Sequence, residues 1–364
     1  MSAFRLHINH STFSKADILH WNGQHTDAYT SDVLMICKQW LHGKQNFELK
    51  TSGSTGTPKT ISIQRSQIEA SAQATLDFFN LKAGNKVVCP LNIHVIGGQM
   101  MLYRSLIGEL ELYVIPADRT LSQLDTSLVY DFMPISAVQL FEVLNNNPEK
   151  IQTLNRLQHL LIGGSSISEA LQSLISRKLT CHVWQSYGMT ETVSHIAMRS
   201  LHPCIEDTYT ILKGIETALD ERSCLKIKGA VSNDTWIQTN DQVEKTDHNH
   251  FTFLGRTDFA VNSGGIKIQV EPIEKIIETL FAELNLHASF FIGGTADDAL
   301  GEKLVLMIDT AFISEEEKTH LINALKELLP KYHVPKEIHT VQFDYTASGK
   351  INRKDTLKKI LLQR

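Results

Sequence analysis

His159-Leu160-Leu161-Ile162, Gly163-Gly164-Ser165-Ser166, Ser168–Lys178 and Cys181-His182-Val183-Trp184 follow one another along the chain. The first and last are short β-rich runs. Between them lie a glycine- and serine-rich break and then apolar residues three and four apart, a spacing that predicts a helix. Strand, helix and strand in this order predict a parallel pair with the helix packed across it. The same alternation extends upstream, where Lys86–Leu91 and Leu110–Ile115 read as strands and Ser136–Asn145 as a helix. The fold class of this region is therefore α/β. Such sheets bind ligands beyond the carboxyl ends of their strands. Gly163–Ser166 and Gln185-Ser186-Tyr187-Gly188 are expected at two such ends.

Past residue 200 the pattern changes. Leu225–Lys228, Thr235–Gln238 and Phe251–Leu254 read as short strands separated by polar stretches, a small β-rich subdomain. A smaller α+β unit follows. Pro272–Leu286 predicts a helix, Ala288–Ile292 and Lys303–Ile308 strands, and Ser314–Leu329 a helix opened by the capping box Ser314-x-x-Glu317 and closed by Pro330. The boundary falls near Gly255–Asp258, giving a large domain over 1–256, with layered and mostly parallel sheets, and a small one over 257–364.

Composition narrows the function. Among 364 residues, Lys+Arg of 35 against Asp+Glu of 40 leaves a net charge of −5, which lacks the positive excess of a nucleic-acid binder. The five cysteines (37, 89, 181, 204 and 224) form no C-x-x-C pair, so no zinc site or disulfide framework is expected. Free thiols, no secretory leader and no long apolar run point to a cytoplasmic chain without a membrane span. A homodimer stays open.

The most informative loop is Thr51-Ser52-Gly53-Ser54-Thr55-Gly56-Thr57-Pro58-Lys59, whose first six positions hold four hydroxyls and two glycines. Glycines let backbone N–H groups approach a phosphate closely, hydroxyls add donors, and Lys59 adds charge. The loop is not a Walker A sequence, because Pro58 stands where the second glycine is required. Its flanks, Phe47–Lys50 and Thr60–Gln64, alternate like strands, so it reads as the tip of a hairpin. A mobile surface turn rich in the same residues is the competing reading of this segment taken alone.

Its company decides between them. Gln185–Glu191 with Tyr187-Gly188-x-Thr190-Glu191, Thr239-Asn240-Asp241, Gly255-Arg256-Thr257-Asp258, Ser263-Gly264-Gly265-x-Lys267-Ile268 ending at Glu274, and Ser348-Gly349-Lys350-Ile351-x-Arg353 follow in order. Together with the first loop they resemble the adenylate-forming enzymes: acyl- and aryl-CoA ligases, peptide-synthetase adenylation domains and luciferases. The resemblance covers about residues 45–354. It departs from the family pattern at Asn240, where relatives carry glycine, and at Tyr345-Thr346, where many carry proline.

The resemblance implies ATP, Mg²⁺ and coenzyme A acting on a small carboxylic acid. Thr51, Ser52, Gly53, Ser54, Thr55, Gly56 and Lys59 would hold the β- and γ-phosphates. Thr190 would contact the α-phosphate and Glu191 the metal. Gly164, Gln185, Tyr187 and Gly188 would line the purine, Asp241 the ribose hydroxyls, and Arg256 the ribose or phosphate. Lys350 matches the family's mobile lysine, which bridges carboxylate and α-phosphate, and Asp258 its hinge. Gly264 and Gly265 would border the thiol channel.

Pro90–Gly98 resembles the family's acyl-pocket segment. That makes His94 a pocket wall or gate, with Arg104 a partner for a second carboxylate, against the bland readings of a core histidine and a surface salt bridge. Gly163 and Ser186 fall beside the acyl group. The phosphate loop comes early, at residue 51, so the expected site is compact, and the 2-succinylbenzoate–CoA ligases are the subgroup that looks most similar. Another small aryl- or acyl-CoA ligase, or an inactive nucleotide-binding scaffold, are the alternatives.

Overall fold

The computed structural model describes residues 3–24, 26–50, 60–163, 167–284, 286, 288–309, 313–345 and 351–361. Thr51–Lys59, Gly164 and Lys350 lie outside the described residues. The chain opens with strands β1 (Arg5–Ile8) and β2 (Ser11–Phe13), helices α1 (Lys15–His20) and α2 (Ala28–Leu41), and the pair β3 (Asn46–Lys50) and β4 (Thr60–Gln64). Then come α3 (Arg65–Phe78), β5 (Lys86–Cys89), α4 (Ile96–Gly108), β6 (Glu111–Val114), β7 (Phe132–Ser136), α5 (Ala137–Asn146), α6 (Pro148–Asn155), β8 (His159–Gly163), α7 (Glu169–Lys178) and β9 (His182–Gly188). Six further strands complete the large unit: β10 (His195–His202), β11 (Thr208–Ile211), β12 (Ile215–Leu219), β13 (Cys224–Gly229), β14 (Ile237–Lys245) and β15 (His250–Arg256). The small unit holds β16 (Val261–Ser263), β17 (Ile266–Ile268), α8 (Glu271–Glu283), β18 (Phe290–Asp297), β19 (Gly301–Ile308), α9 (Glu315–Leu328), β20 (Glu337–Thr340) and α10 (Arg353–Leu361).

Among the described residues, thirteen strands of the large unit form one sheet in the order β12-β13-β14-β15-β11-β10-β9-β8-β7-β5-β6-β1-β2. From β1 through β6, β5, β7 and β8 to β9 every neighbour is parallel. Beyond β9 the pairs are antiparallel. The architecture is α/β as the alternation predicts, but the parallel part is narrower than expected, and the β-rich stretch continues the same sheet. The central parallel strands β5, β7 and β8 are buried on both faces, as helices covering both sides require, whereas β1 and β6 alternate. The helices start where sequence chemistry says they should. Ser136, Ser168 and Ser314 cap α5, α7 and α9, with reciprocal boxes through Gln139 and Glu317.

Several features escaped the sequence reading, the strands and helices before β3 among them. β7 contains Pro134, which reads as a breaker, yet it pairs with Leu161 in a parallel ladder. β10 is buried on both faces and shows no alternation. Gln185–Gly188, expected as a loop, is the end of β9, held in extension by its pairing with β10. Asn240 likewise sits inside β14, in ordinary strand backbone that needs no glycine.

The hairpin expectation is met. Lys50 pairs with Thr60 and Asn46 with Gln64. The base is pinned to the body by Phe47, which packs 5.8 Å from Trp40 of α2 and 5.5 Å from Tyr103 of α4. Arg65, the first residue of α3, lies 3.8 Å over the Trp40 ring. Truncating a buried aromatic in such a knot costs about 3–5 kcal/mol, so the two strand ends flanking residues 51–59 are firmly placed.

β15 ends at Arg256, and the strands from Val261 onward belong to a second sheet, β17-β16-β19-β18 with β20 on β19. Its core is Ile273, Ile277, Phe281, Ile292, Leu306 and Leu325. Polar bonds join the two units: Arg256 N donates to Glu271 Oε1 (2.8 Å), and Gln269 Nε2 to Gln242 Oε1 (2.5 Å). Glu169 N, at the start of α7, donates to Glu278 Oε2 (3.3 Å), and the Thr279 hydroxyl bonds Glu169.

Candidate active site

β5 leads through α4 to β6 on one side, while β7 leads through α5 to β8 on the other. The crevice between the carboxyl ends of β5 and β7 is the switch point where sheets of this class take ligands. His94 follows β5 there. It is exposed, with Nε2 3.5 Å from Asp32 on α2, so it is not a satisfied core histidine. Two strands along, Gly163 closes β8 beside Ser186. A methyl group on Gly163 would stand 3.3 Å from Ser186 Oγ, and that hydroxyl donates to Ile162 O (3.3 Å).

Tyr187 lies at the same edge. Its hydroxyl donates to Asp241 Oδ2 at 2.5 Å, and its ring stands edge-on to Phe251, with centroids 5.1 Å apart. Burial, then the Asp241 charge, push the phenol well above its ordinary value, so it stays a donor. Asp241 is itself held by backbone: its N–H donates to Thr239 Oγ1 (3.1 Å), and that hydroxyl donates to Leu225 O (2.8 Å). Arg256 Nη1 reaches Asp241 Oδ1 (3.0 Å). The other side of the same guanidinium grips Asp258 through Nε (2.9 Å) and Nη2 (2.8 Å). Ribose, phosphate and hinge assignments thus fall on one bonded chain: Tyr187, Asp241, Arg256, Asp258. Each Asp241 oxygen accepts one of these bonds, and a carboxylate has about four acceptor positions, which leaves capacity for hydroxyl donors.

Gln185, buried in β9, accepts from Arg199 Nε at 2.7 Å, and the same guanidinium sits 5.2 Å over the Tyr209 ring. Arg199 was not read from sequence, because β10 gives no periodic signal. Gly188 allows a contact that no side chain could: a Cβ there would stand 2.2 Å from Ser194 O. Thr190–Thr192 form one 3₁₀ turn after it. Thr190 is half-buried; Glu191 is exposed, and among the described residues no hydrogen bond or ion pair involves it.

Arg104 is not where the sequence reading put it. It is 3% exposed, with no carboxylate beside it among the described residues. It donates to Ser194 Oγ at 2.9 Å. A surface salt bridge is excluded, and direct contact with a second substrate carboxylate is not what this burial provides.

In the small unit, Gly264 and Gly265 take positive φ values of 59° and 79°. They turn β16 into β17, and the Gly264 N–H donates to Leu300 O (2.8 Å). Close to residues 346–350, Tyr345 bridges Ile351, Asn352 N donates to Asp344 O (2.7 Å), and Arg353 forms a two-pronged pair with Glu274 (2.7 and 2.9 Å).

Comparison with known proteins bears on this arrangement. The AMP-binding enzyme family model matches residues 49–218. A crystal structure of an acyl-CoA synthetase (AMP-forming)/AMP-acid ligase II-like protein from Dyadobacter fermentans is 37% identical, covering 96% of this chain and 99% of that one, with a TM-score of 0.64. This chain belongs to the AMP-binding enzyme family. Among curated members, the 2-succinylbenzoate–CoA ligase of Haemophilus influenzae is 25% identical over 319 residues, 84% of this chain and 68% of that protein. O-succinylbenzoate coenzyme A synthetase from Bacillus subtilis, solved with ATP and magnesium ion, shares the fold at 20% identity and a TM-score of 0.69, covering 85% of this chain and 69% of that one. The Dyadobacter protein is thus similar to this chain over nearly its whole length, whereas the family model itself covers residues 49–218.

Proposed function

We propose that this AMP-binding enzyme is an AMP-forming acid–CoA ligase with 2-succinylbenzoate as its acid. The observation that carries the reading is the chain from Tyr187 through Asp241 and Arg256 to Asp258, which unites motifs more than seventy residues apart at one sheet edge next to the hinge. In the first step a carboxylate oxygen attacks the α-phosphorus of ATP and pyrophosphate leaves. In the second, the CoA thiolate attacks the acyl carbon, the carbon–oxygen bond breaks, and AMP leaves with the acid's oxygen.

Each residue has work in this scheme. Asp241 accepts the ribose hydroxyls, with Tyr187 and Arg256 holding its orientation. Thr190 donates to the α-phosphate, and the 51–59 loop takes the leaving pyrophosphate. Glu191 suits Mg²⁺: it is an exposed carboxylate with no partner among the described residues. Magnesium usually takes one or two carboxylates and completes its shell with phosphate oxygens and water. Bound there, the ion offsets phosphate charge during in-line attack.

Lys350 carries the positive charge that draws carboxylate and α-phosphate together. Residues 257–364 act as the lid that brings it in and then exposes the thiol path along Gly264 and Gly265. His94, Gly163 and Ser186 line the acid's crevice. All the described members of this site come from a single copy of the chain.

The deciding experiment is exchange of labelled pyrophosphate into ATP across a panel of acids. Exchange with 2-succinylbenzoate supports the full reading. Exchange with benzoate or a short acyl acid instead keeps the ligase and overturns its substrate. Silence with every acid marks a nucleotide-binding scaffold.

A further inference from the structure

Arg104 is a cation that the fold buries with no counter-anion among the described residues. Its Nη2 donates to Ser194 Oγ, Nη1 lies 3.8 Å from Met101 Sδ, and Nε has no partner. The groups around it supply no negative charge. The Cys89 thiol is pushed up to about 12 by burial, and His195 is held neutral, its pKa driven well below 6.5 by burial and by Arg104 itself. Such a charge is expensive to bury. A buried arginine kept at that cost needs a use beyond packing.

The use lies in what Ser194 does. Ser194 N donates to Thr192 O (2.7 Å) across Val193, whose φ of 66° and ψ of −49° describe a tight three-residue turn. That conformation is rare, and for a β-branched residue it is strained. It persists only where neighbours over-determine it. Here they do. The Ser194 hydroxyl is gripped by Arg104 and meets Ser71 Oγ at 3.0 Å. Ser194 O accepts from Thr192 Oγ1 (2.7 Å), and the next residue, His195, bonds Thr75 Oγ1 at 2.8 Å.

The strained turn is the far end of the segment that begins at Gly188 and carries Thr190 and Glu191. We propose that Arg104 is a positioning residue, which through the Ser194 hydroxyl locks the Thr190–Val193 turn so that Thr190 and Glu191 meet the α-phosphate and its metal. The inference rests on the ligase reading and deepens it. It replaces substrate contact as the role of Arg104.

The test uses the full chain and three variants: Ser194→Ala, Arg104→Met and Arg104→Lys. Three properties are read: melting temperature, Mg²⁺·ATP binding by calorimetry, and the Mg²⁺ concentration giving half-maximal acid-dependent AMP formation. Loss of one charge-assisted bond at the turn is expected to lower AMP formation about tenfold in Ser194→Ala, with a raised Mg²⁺ requirement and a lowered melting temperature that still leaves the protein folded under assay conditions. Arg104→Met should show the larger loss in the same two readouts. Arg104→Lys, which keeps a charge and a donor, should recover part of it.

A Ser194→Ala enzyme with the wild-type Mg²⁺ requirement overturns the inference, as does activity loss in every variant that merely follows loss of folded protein. If Arg104→Met does not fold, Ser194→Ala decides alone. Wild-type protein that fails to bind Mg²⁺·ATP brings down the ligase reading itself. Wild-type binding with an indifferent Ser194→Ala brings down only this inference.

Discussion

The Tyr187 hydroxyl donates to Asp241 Oδ2 at 2.5 Å, tying the last parallel strand to a strand four places away in the antiparallel half. Asp241 is 5% exposed and shares its other oxygen with Arg256. The Tyr187 bond therefore fixes the orientation of the carboxylate, to which we assign the ribose hydroxyls. Tyr187→Phe should cost about 1.5–3 kcal/mol of stability, the range for a hydrogen bond to a charged group. Asp241→Asn should raise the KM for ATP at least about tenfold, the equivalent of 1.4 kcal/mol. Chemical denaturation reads the first and initial rates against ATP the second; an unchanged KM in Asp241→Asn removes the ribose role.

The pair between Arg353 and Glu274 makes a separate prediction, because it sits three residues beyond Lys350. Both side chains are mostly covered (21% and 16% exposed), and the Arg353 guanidinium also lies 4.6 Å over the Phe259 ring. Removing one partner of such a pair should cost about 1–3 kcal/mol, below the fully buried range because water still reaches it. Glu274→Gln should also slow adenylate formation more than thiolysis of supplied adenylate, since it loosens the segment that presents the lysine.

Lys350→Ala should show that split in its extreme form. Loss of a charge aimed at the transition state lowers adenylation by about 100-fold or more. Thioester formation from supplied adenylate should stay within a few-fold of wild type, because the role we propose for the lysine lies in adenylation alone. Equal losses in both half-reactions would make the lysine structural.

His195 gives a pH dependence whose sign is fixed. It is buried, bonded to Thr75 and next to Arg104, so its folded pKa lies well below 6.5. Below pH 6.5 the unfolded chain takes up a proton that the folded chain refuses. Stability from this group is complete above pH 6.5 and falls as pH drops, by at most about 1.4 kcal/mol per pH unit. Denaturation curves from pH 7.5 to 5.5 should show a shallower slope in His195→Gln than in the wild type, with His7 and His159, whose pKa values burial also lowers, keeping part of it.

The sequence showed the chemistry of this site better than its shape. Capping serines and three-to-four spacing located α5, α7 and α9 within a residue, because caps and amphipathic faces are local. β10 and β7 were invisible, since a strand buried on both faces has no period and Pro134 mimics a break. Tyr187, Asp241, Arg256 and Asp258 could each be named, while their linkage could not. It depends on β9 and β14 lying four places apart in one sheet, which is a fact of topology. Arg104 went astray for a similar reason. An arginine on a helix reads as solvated, and its burial appears only once β10 is placed against α4.

The measurement that bears most directly on the two-step account follows an oxygen atom. An acid labelled with ¹⁸O in the reacting carboxylate is turned over with ATP and CoA, and the nucleotide product is weighed. An acyl-adenylate route puts one labelled oxygen into each AMP, because thiolysis breaks the bond between acyl carbon and that oxygen. Label appearing in inorganic phosphate beside ADP, or AMP carrying none, would contradict it.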